Sequence, residues 1–413
     1  MSETAWIDLA LKSARPRVMG ALVRYFRDLD PAEEAFQEAC LAALKNWPKN
    51  GPPRDPAAWL ILVGRNAGLD RTRRQRRLQV LPAEDAFSEL DDAEGQLLER
   101  LDASHYRDDI LRLLFVCCHS LLPATSQIAL ALRIVSGLSV KEIARAFLVS
   151  EAAMEQRITR AKARIHEADV AFAVPGTAER AERLASVAAS IYLMFNEGYT
   201  STGYDAHMRL PLCEEALRLA RLLLRLFPSE PGLMGLLALM LLTHARARAR
   251  LDAQGCIVLL DQQDRSLWDR ACIAEGLALI DKAMRHAAPE PYQVQAAIAA
   301  LHARAVRAQD TDWAQIDLLY GALERLSPSP VVTLNRAVAR SKVAGPEAAL
   351  ALIAPLAQKL GGYFYYFGVT GALLKELGRH AEAREAFLRA IALAHTPAEG
   401  AHIREQLDTL TGV

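Results

Sequence analysis

The chain runs to 413 residues, long enough for two or three units with cores of their own. Its 49 lysines and arginines match 49 aspartates and glutamates, a balance that excludes binding to a polyanion through overall charge and leaves only local patches for that purpose. Apolar residues make up 52% but aromatic ones only 6%, and with alanine and leucine dominant and β-branched runs scarce the expected fold is all-α.

At the start, MSETAWIDLALKSARPR has no basic segment followed by a long apolar core, so no secretory signal is expected. Val18, Leu22 and Phe26 recur at every fourth position and predict a first helix over about 16–27. Asp30-Pro31 opens a second, reaching about Trp47, in which Ala35, Ala39, Ala42 and Ala43 permit close packing while Glu33, Glu34 and Glu38 make an acidic side. A third begins after Pro56, carries Trp59, Leu60, Leu62, Val63, Ala67 and Leu69, and passes into DRTRRQRR. Trp59 shares a face with Leu62 and Val63, which favours the core over a base-stacking surface. Arg71, Arg73, Arg74, Arg76 and Arg77 repel one another unless a polyanion or an acidic partner lies near. With Arg65 and Asn66 upstream they form a strip suited to a phosphate backbone; a solvated helix end favoured by the macrodipole is the plainer alternative.

From Glu84 to Asp109 ten acidic residues accompany two arginines, the pattern of an acidic linker between two basic surfaces. Cys117-Cys118-His119 invites a metal reading, but neighbours on a helix point about 100° apart and no second ligand cluster stands out, so no metal site is expected. Ser139 to Ile165 predicts two helices around a tight turn, a helix-turn-helix. Val140, Ile143, Ala144 and Phe147 give the first an inner stripe, and Ser139 with Glu142 a capping box. After the turn at Leu148-Val149-Ser150, Ser150 caps a second helix with Met154, Ile158, Ala161 and Ile165 inside. Gln156, Arg157, Thr159, Arg160, Lys162 and Arg164 are left facing outward, a composition that suits DNA; an ordinary helical hairpin with a solvated basic face competes on these residues alone.

After Pro175-Gly176, helical patterns recur with breaks spaced by about 17 residues, which suggests stacked helix pairs. The longest apolar run, Gly232 to Leu242, is too short to span a bilayer and predicts a buried helix. Two polar stretches interrupt the apolar background: FNEGYTSTGYD, with Asn196, Glu197 and Tyr199, and DQQDRSLWDR, with Asp264, Arg265, Trp268 and Asp269. They predict regulatory loops that meet at an interdomain surface or bind a ligand, or else plain solvated loops with one aromatic anchor. A shift of 34 residues sets Ala337 on Gly371, Ala349 on Ala383, Ile353 on Phe387 and Leu356 on Ala390. Small and apolar residues then meet as in tetratricopeptide repeats, which GALLKELGRHAEAREAFLRAIALA (Gly371 to Ala394) resembles; one unit back Ala303, Leu319 and Ala322 fit and Gln315 does not. An unrelated helical bundle is the competing reading. Cys40, Cys117, Cys118, Cys213, Cys256 and Cys272 are scattered without a disulfide framework and are expected to be reduced.

Three-helix unit, acidic linker and helix-turn-helix, in that order, resemble the sigma factors of bacterial RNA polymerase, in the extracytoplasmic-function group of the sigma-70 family. DPAEEAFQEACLAALKNWP (Asp30 to Pro48) resembles the helix that docks on a coiled coil of the polymerase β′ subunit, which implies polymerase contacts by Glu33, Glu34, Gln37 and Glu38. AWLILVGRNAGLDRTRRQRR (Ala58 to Arg77) resembles the part that opens and reads the −10 element, which implies DNA contacts by Arg65, Asn66, Arg71, Arg73, Arg74, Arg76 and Arg77. SEAAMEQRITRAKARI resembles the recognition helix for the −35 element and implies DNA contacts by Ser150, Gln156, Arg157, Arg160 and Arg164; Glu155 departs from a position often basic or small. Physics fits that division: a major groove admits a helix bearing Arg and Gln, whereas an opened strand needs a basic track.

The repeats behind it resemble the subgroup with a fused tetratricopeptide-like domain, and the resemblance implies an extension that stands in for a separate anti-sigma regulator. The expected organisation is region 2 over 8–79, acidic linker over 80–106, region 4 over 107–170, a helical domain over 178–288 and repeats over 289–413. Expected partners are core RNA polymerase, promoter DNA and a protein or intramolecular partner of the repeats, with no cofactor, metal, membrane or catalytic residue, in the cytoplasm. The alternative is a stand-alone helix-turn-helix regulator with a tetratricopeptide-like scaffold, which would have no need of the second helix or the arginine strip.

Overall fold

The computed structural model describes residues 5–51, 53–76, 103–147, 149–168, 170, 177–199, 206–252, 257–286, 288–394 and 396–411. Among these every regular element is helical, apart from one isolated bridge between Leu251 and Ile257. The chain divides into two compact units, Met1–Met194 and Phe195–Val413. Arg77, and the acidic linker apart from its C-terminal end, lie outside the described residues.

In the first unit α1 (Ala5–Phe26), α2 (Leu29–Asn50) and α3 (Pro56–Arg76) form the three-helix module. The first helix starts well before the predicted residue 16, running through Pro16, because fully buried Ile7 anchors its N-terminal turns. Asp28 accepts from the Asp30 amide at 3.0 Å as α2 begins, and Asp55 accepts from the amides of Ala57 and Ala58 at 2.9 and 3.2 Å as α3 begins. Buried Trp47 is stacked on Trp6 at 6.0 Å and meets the edge of Trp59 at 5.5 Å, so Trp59 is half-buried in an aromatic cluster.

Next come α4 (Ala103–Cys117), α5 (Ala124–Ala131), which runs into a π turn at Leu132–Ser136, then α6 (Val140–Ala146), α7 (Glu151–Glu167) and α8 (Thr177–Tyr199). The capping box forms: the Glu142 amide donates to Ser139 Oγ at 3.2 Å and the Ser139 amide to Glu142 Oε2 at 2.7 Å. The Ser139 hydroxyl, which donates to Glu142 Oε2 at 2.7 Å, and then the Ser139 amide hold the Glu142 carboxyl below its ordinary pKa. Ser150 Oγ accepts from the Ala153 amide at 3.2 Å, and Met154, Ile158, Ala161 and Ile165 form the buried stripe of α7. One expectation fails at the linker's end. Asp109 is a residue of α4, 1% exposed, paired with Arg24 at 3.2 Å and Arg112 at 3.1 Å. It lies one turn before fully buried Leu113 and so shares its inner face. Gly20 admits it, since a Cβ there would lie 2.9 Å from the Asp109 carbonyl carbon.

The second unit contains α9 (Ala206–Leu226), α10 (Pro231–His244), α11 (Arg270–Ala283) and α12 (Pro291–Arg304). Every residue of α10 from Leu233 to Leu242 is buried, as expected for a helix apolar all round. There follow α13 (Trp313–Leu326), α14 (Pro330–Ala344), α15 (Pro346–Ile353), α16 (Phe364–Glu376), α17 (His380–Ala392) and α18 (Pro397–Thr411). Helices α14 and α15 begin at residues 330 and 346, and α16 and α17 at 364 and 380, so the 34-residue shift seen in the sequence is also a shift of helix pairs. Ala337, Ala349 and Ile353 are buried in one cluster, and Ala383, Phe387 and Ala390 in the next. Gly371 is buried against Phe387, whose ring atoms would stand 2.5 to 3.0 Å from a Cβ.

Candidate nucleic-acid interface

Burying Met154, Ile158, Ala161 and Ile165 fixes the rotation of α7. It leaves Gln156, Arg160 and Arg164 exposed, Arg157 half-buried and Ser150 exposed at the N-cap. Arg160 Nη2 donates to Gln156 Oε1 at 3.5 Å, and among the described residues Arg157, Arg160 and Arg164 form no ion pair, so this face carries unmatched positive charge. Lys162 departs from the outward set. Its side chain is 15% exposed and its Nζ reaches Asp30 Oδ1 at 2.6 Å and Glu33 Oε2 at 2.8 Å, both on α2. The signal was present in the sequence, because Ile158, Ala161, Lys162 and Ile165 fall at i, i+3, i+4 and i+7 and a wide stripe includes the lysine. Burial lowers the Lys162 pKa, but the hydrogen bonds to Asp30 and Glu33 outweigh it and the net shift is upward.

On α2, Glu34, Gln37 and Glu38 are exposed together with Leu41 and Leu44, which are 60% and 49% exposed, giving an acidic and apolar strip. Glu33, placed with them by sequence, is buried instead. It receives Arg133 at 2.6 Å, Lys162 at 2.8 Å and Arg15 at 3.8 Å. Arg15 is buried as well; its Nε donates to the Ile134 carbonyl at 3.1 Å and its Nη2 to the Arg133 carbonyl at 2.9 Å, at the π turn, while its guanidinium lies 4.6 Å from the Phe36 ring centre. Burial pulls the Arg15 pKa down to about 10 against the opposing charge of Glu33, which leaves it protonated at neutral pH. On α3, Asn66 is exposed and Arg65 lies 4.5 Å from the Tyr25 ring centre. Arg71, Arg73, Arg74 and Arg76 occupy the final turns of α3.

In the second unit the two polar stretches are structural struts over their described parts. Tyr199 stacks on Phe195 at 5.5 Å and lies under Arg250, which also donates to the Tyr199 carbonyl; Asn196 and Glu197 beside it are half-buried. Asp264 accepts from the Ser266 amide at 2.9 Å, and Asp269 caps α11 through the amides of Ala271 and Cys272 at 2.8 and 3.0 Å. Arg265 lies against buried Trp268 and donates to the carbonyls of His302 and Ala305, closing the C-terminal end of α12. In the first unit Cys117 and Cys118 are buried, and burial first of all pushes the Cys118 thiol up to about 12.

Residues 11–78 match the family model described as sigma-70 region 2, and residues 112–165 the one described as sigma-70, region 4. The chain belongs to the sigma-70 family. As a sigma-70 factor it serves promoter recognition and transcription initiation, with core RNA polymerase and promoter DNA as partners. Sigma-70 factors are non-catalytic. Residues 183–284 of this sigma factor match a family of unknown function, DUF6596. An uncharacterized protein of Rhizobium meliloti (strain 1021) is 68% identical to it over 410 residues, 99% of this chain and 97% of that one, so the two share the sigma-70 regions and the second unit behind them. No solved structure matches.

Proposed function

We propose that the chain is a sigma factor of the extracytoplasmic-function type that reads a −35 element with α7 and an opened −10 element with the C-terminal half of α3. The observation that carries this reading is the face of exposed Gln156, Arg160 and Arg164 with half-buried Arg157, whose arginines form no ion pair among the described residues, set by the buried stripe behind it. Arg and Gln on a helix face suit the guanine and adenine edges of a major groove. The arginines from Arg71 to Arg77, with Arg65 and Asn66, form the track for the opened strand. Glu34, Gln37 and Glu38, flanked by Leu41 and Leu44, are the surface for core polymerase, and Glu33 is reserved for an internal role. The second unit, tetratricopeptide-like in α14 to α17, regulates or supports the first, and the protein works in the cytoplasm. Transcription in vitro with core polymerase and candidate promoters tests the reading: promoter-dependent initiation and a stable complex with core are expected, and the absence of both rejects it.

A further inference from the structure

Among the described residues of the second unit, the buried side-chain atoms that lack a hydrogen-bond partner all fall between His244 and Trp268: His244 Nδ1, Gln263 Oε1, Arg265 Nε and Trp268 Nε1. The stretch lies inside residues 183–284, which match the family of unknown function. A buried donor or acceptor left without a partner is costly, and folded proteins keep such groups few. Their concentration in one stretch points to a ligand that completes them.

The four atoms belong to one small knot. The Asp269 amide donates to the Ala245 carbonyl at 2.9 Å, which sets His244 and Arg246 beside Trp268. Trp268 is 3% exposed, and the Arg265 guanidinium lies 4.8 Å from its ring centre. Gln263 Nε2 donates to the Val258 carbonyl at 3.2 Å, and the Val258 amide to the Arg250 carbonyl at 2.9 Å.

The knot also carries uncompensated positive charge. Arg246 and Arg265 form no ion pair among the described residues. They are near neighbours, since the charge of Arg246 adds to burial in lowering the Arg265 pKa. Asp264, Asp269 and Asp310 do not neutralise them: the first two are bonded to main-chain amides, and Asp310 is held by Arg307 at 2.7 and 2.9 Å.

We propose that this knot binds a phosphate group, either inorganic phosphate or a phosphate monoester. Arg246 and Arg265 supply the charge, Arg265 Nε and Trp268 Nε1 donate to phosphate oxygens, and Gln263 Oε1 accepts from the remaining proton or from a hydroxyl beside the group. A phosphate near neutral pH carries about −1.5 to −2 charges, which matches two guanidiniums. A carboxylate brings one charge and no proton for Gln263. Ordered water would satisfy the four atoms but leave the two cations facing each other. The donors are shielded from solvent, so entry requires the single turn Arg265–Leu267 to give way; its Ser266 and Leu267 are exposed. The site gives the second unit a ligand of its own.

The test uses the full chain without polymerase, so its outcome does not depend on the sigma-factor reading. Inorganic phosphate is titrated against chloride at constant ionic strength, and the second unit's thermal transition is followed by circular dichroism. At roughly tenfold excess over its Kd, phosphate should raise the midpoint by about 3–6 °C. Trp268→Phe, which keeps a ring and removes the N–H, and Arg246→Gln should each weaken binding about tenfold. Arg248→Gln, at an exposed arginine two residues away, should leave it unchanged. Equilibrium dialysis with labelled phosphate should find one equivalent bound per chain, whatever the stability of the variants. No bound phosphate, an equal response to sulfate, which has no proton to donate, or an equal loss in Arg248→Gln overturns the site.

Discussion

Replacing Gly371 by alanine should destabilise the second unit, although the same change on an exposed helix would stabilise it. Helix α16 would gain about 1 kcal/mol from the better helix former. The new methyl, however, would stand 2.5, 2.6 and 3.0 Å from three ring atoms of Phe387, where carbon atoms rest at about 3.5 to 4.0 Å. Phe387 is fully buried, so its ring cannot swing away and must shift by about 1 Å with its neighbours, an overpacking cost of ~1–3 kcal/mol. The balance is a net loss of about 1 kcal/mol. One repeat earlier, Ala337 and Ile353 occupy the equivalent positions within one buried cluster, a larger residue on one helix and a smaller one on the other. Gly371→Ala combined with Phe387→Ile recreates that pair and should recover most of the loss. Phe387→Ile alone leaves a void, so the double-mutant cycle should show a coupling of ~1 kcal/mol or more. Urea unfolding of the full chain, followed by circular dichroism and fitted for each unit's transition, supplies the numbers. A stabilised Gly371→Ala, or strictly additive changes, would refute the contact and with it the proposed repeat register.

Asp109→Asn should cost about 2 kcal/mol in the first unit, below the ~3–5 kcal/mol for breaking a fully buried pair because Arg24 and Arg112 keep some water; a linker acid would register within about 0.5 kcal/mol in the same unfolding experiment. Arg157→Ala and Arg160→Ala should weaken −35 discrimination by ~1–3 kcal/mol if each touches a base edge, measured by competition between promoter variants, while uniform weakening with a shallower salt dependence would assign the residue to phosphate. Burial above all, then the charges of Arg246 and Arg265, lower the His302 pKa to about 4. The unfolded chain therefore binds the extra proton first, and stability of the second unit should hold above about pH 6.5 and fall as the pH drops towards 4. His302→Gln should flatten that slope in acid unfolding curves. Removing residues 176–413 should reduce promoter-dependent initiation in vitro, as a supporting extension predicts; increased initiation would make the extension an inhibitor.

What could be read without coordinates was whatever depends on near neighbours in the chain. The capping box at Ser139 and Glu142, the stripe of α7 and the buried run from Leu233 to Leu242 are fixed by periods of a few residues, and each stands where the pattern put it. Side-chain destinations across modules were not legible. Glu33 and Lys162 are 129 positions apart, and each taken alone is an ordinary surface charge. Asp109 looked like the last of a run of linker acids until its helical phase with Leu113 was fixed by packing against Gly20. Arg265 was similar. Its acceptors are main-chain carbonyls at the end of another helix, and no side-chain pattern advertises a carbonyl.

That guanidinium has a mechanical consequence. Arg265 belongs to the segment that matches the family of unknown function, whereas the carbonyls it grips end α12, beyond that segment. The seam between the two stretches is bridged by one side chain. Loss of the Arg265 side chain would take that partner from the carbonyls of His302 and Ala305 and uncouple the end of α12 from the turn that precedes α11.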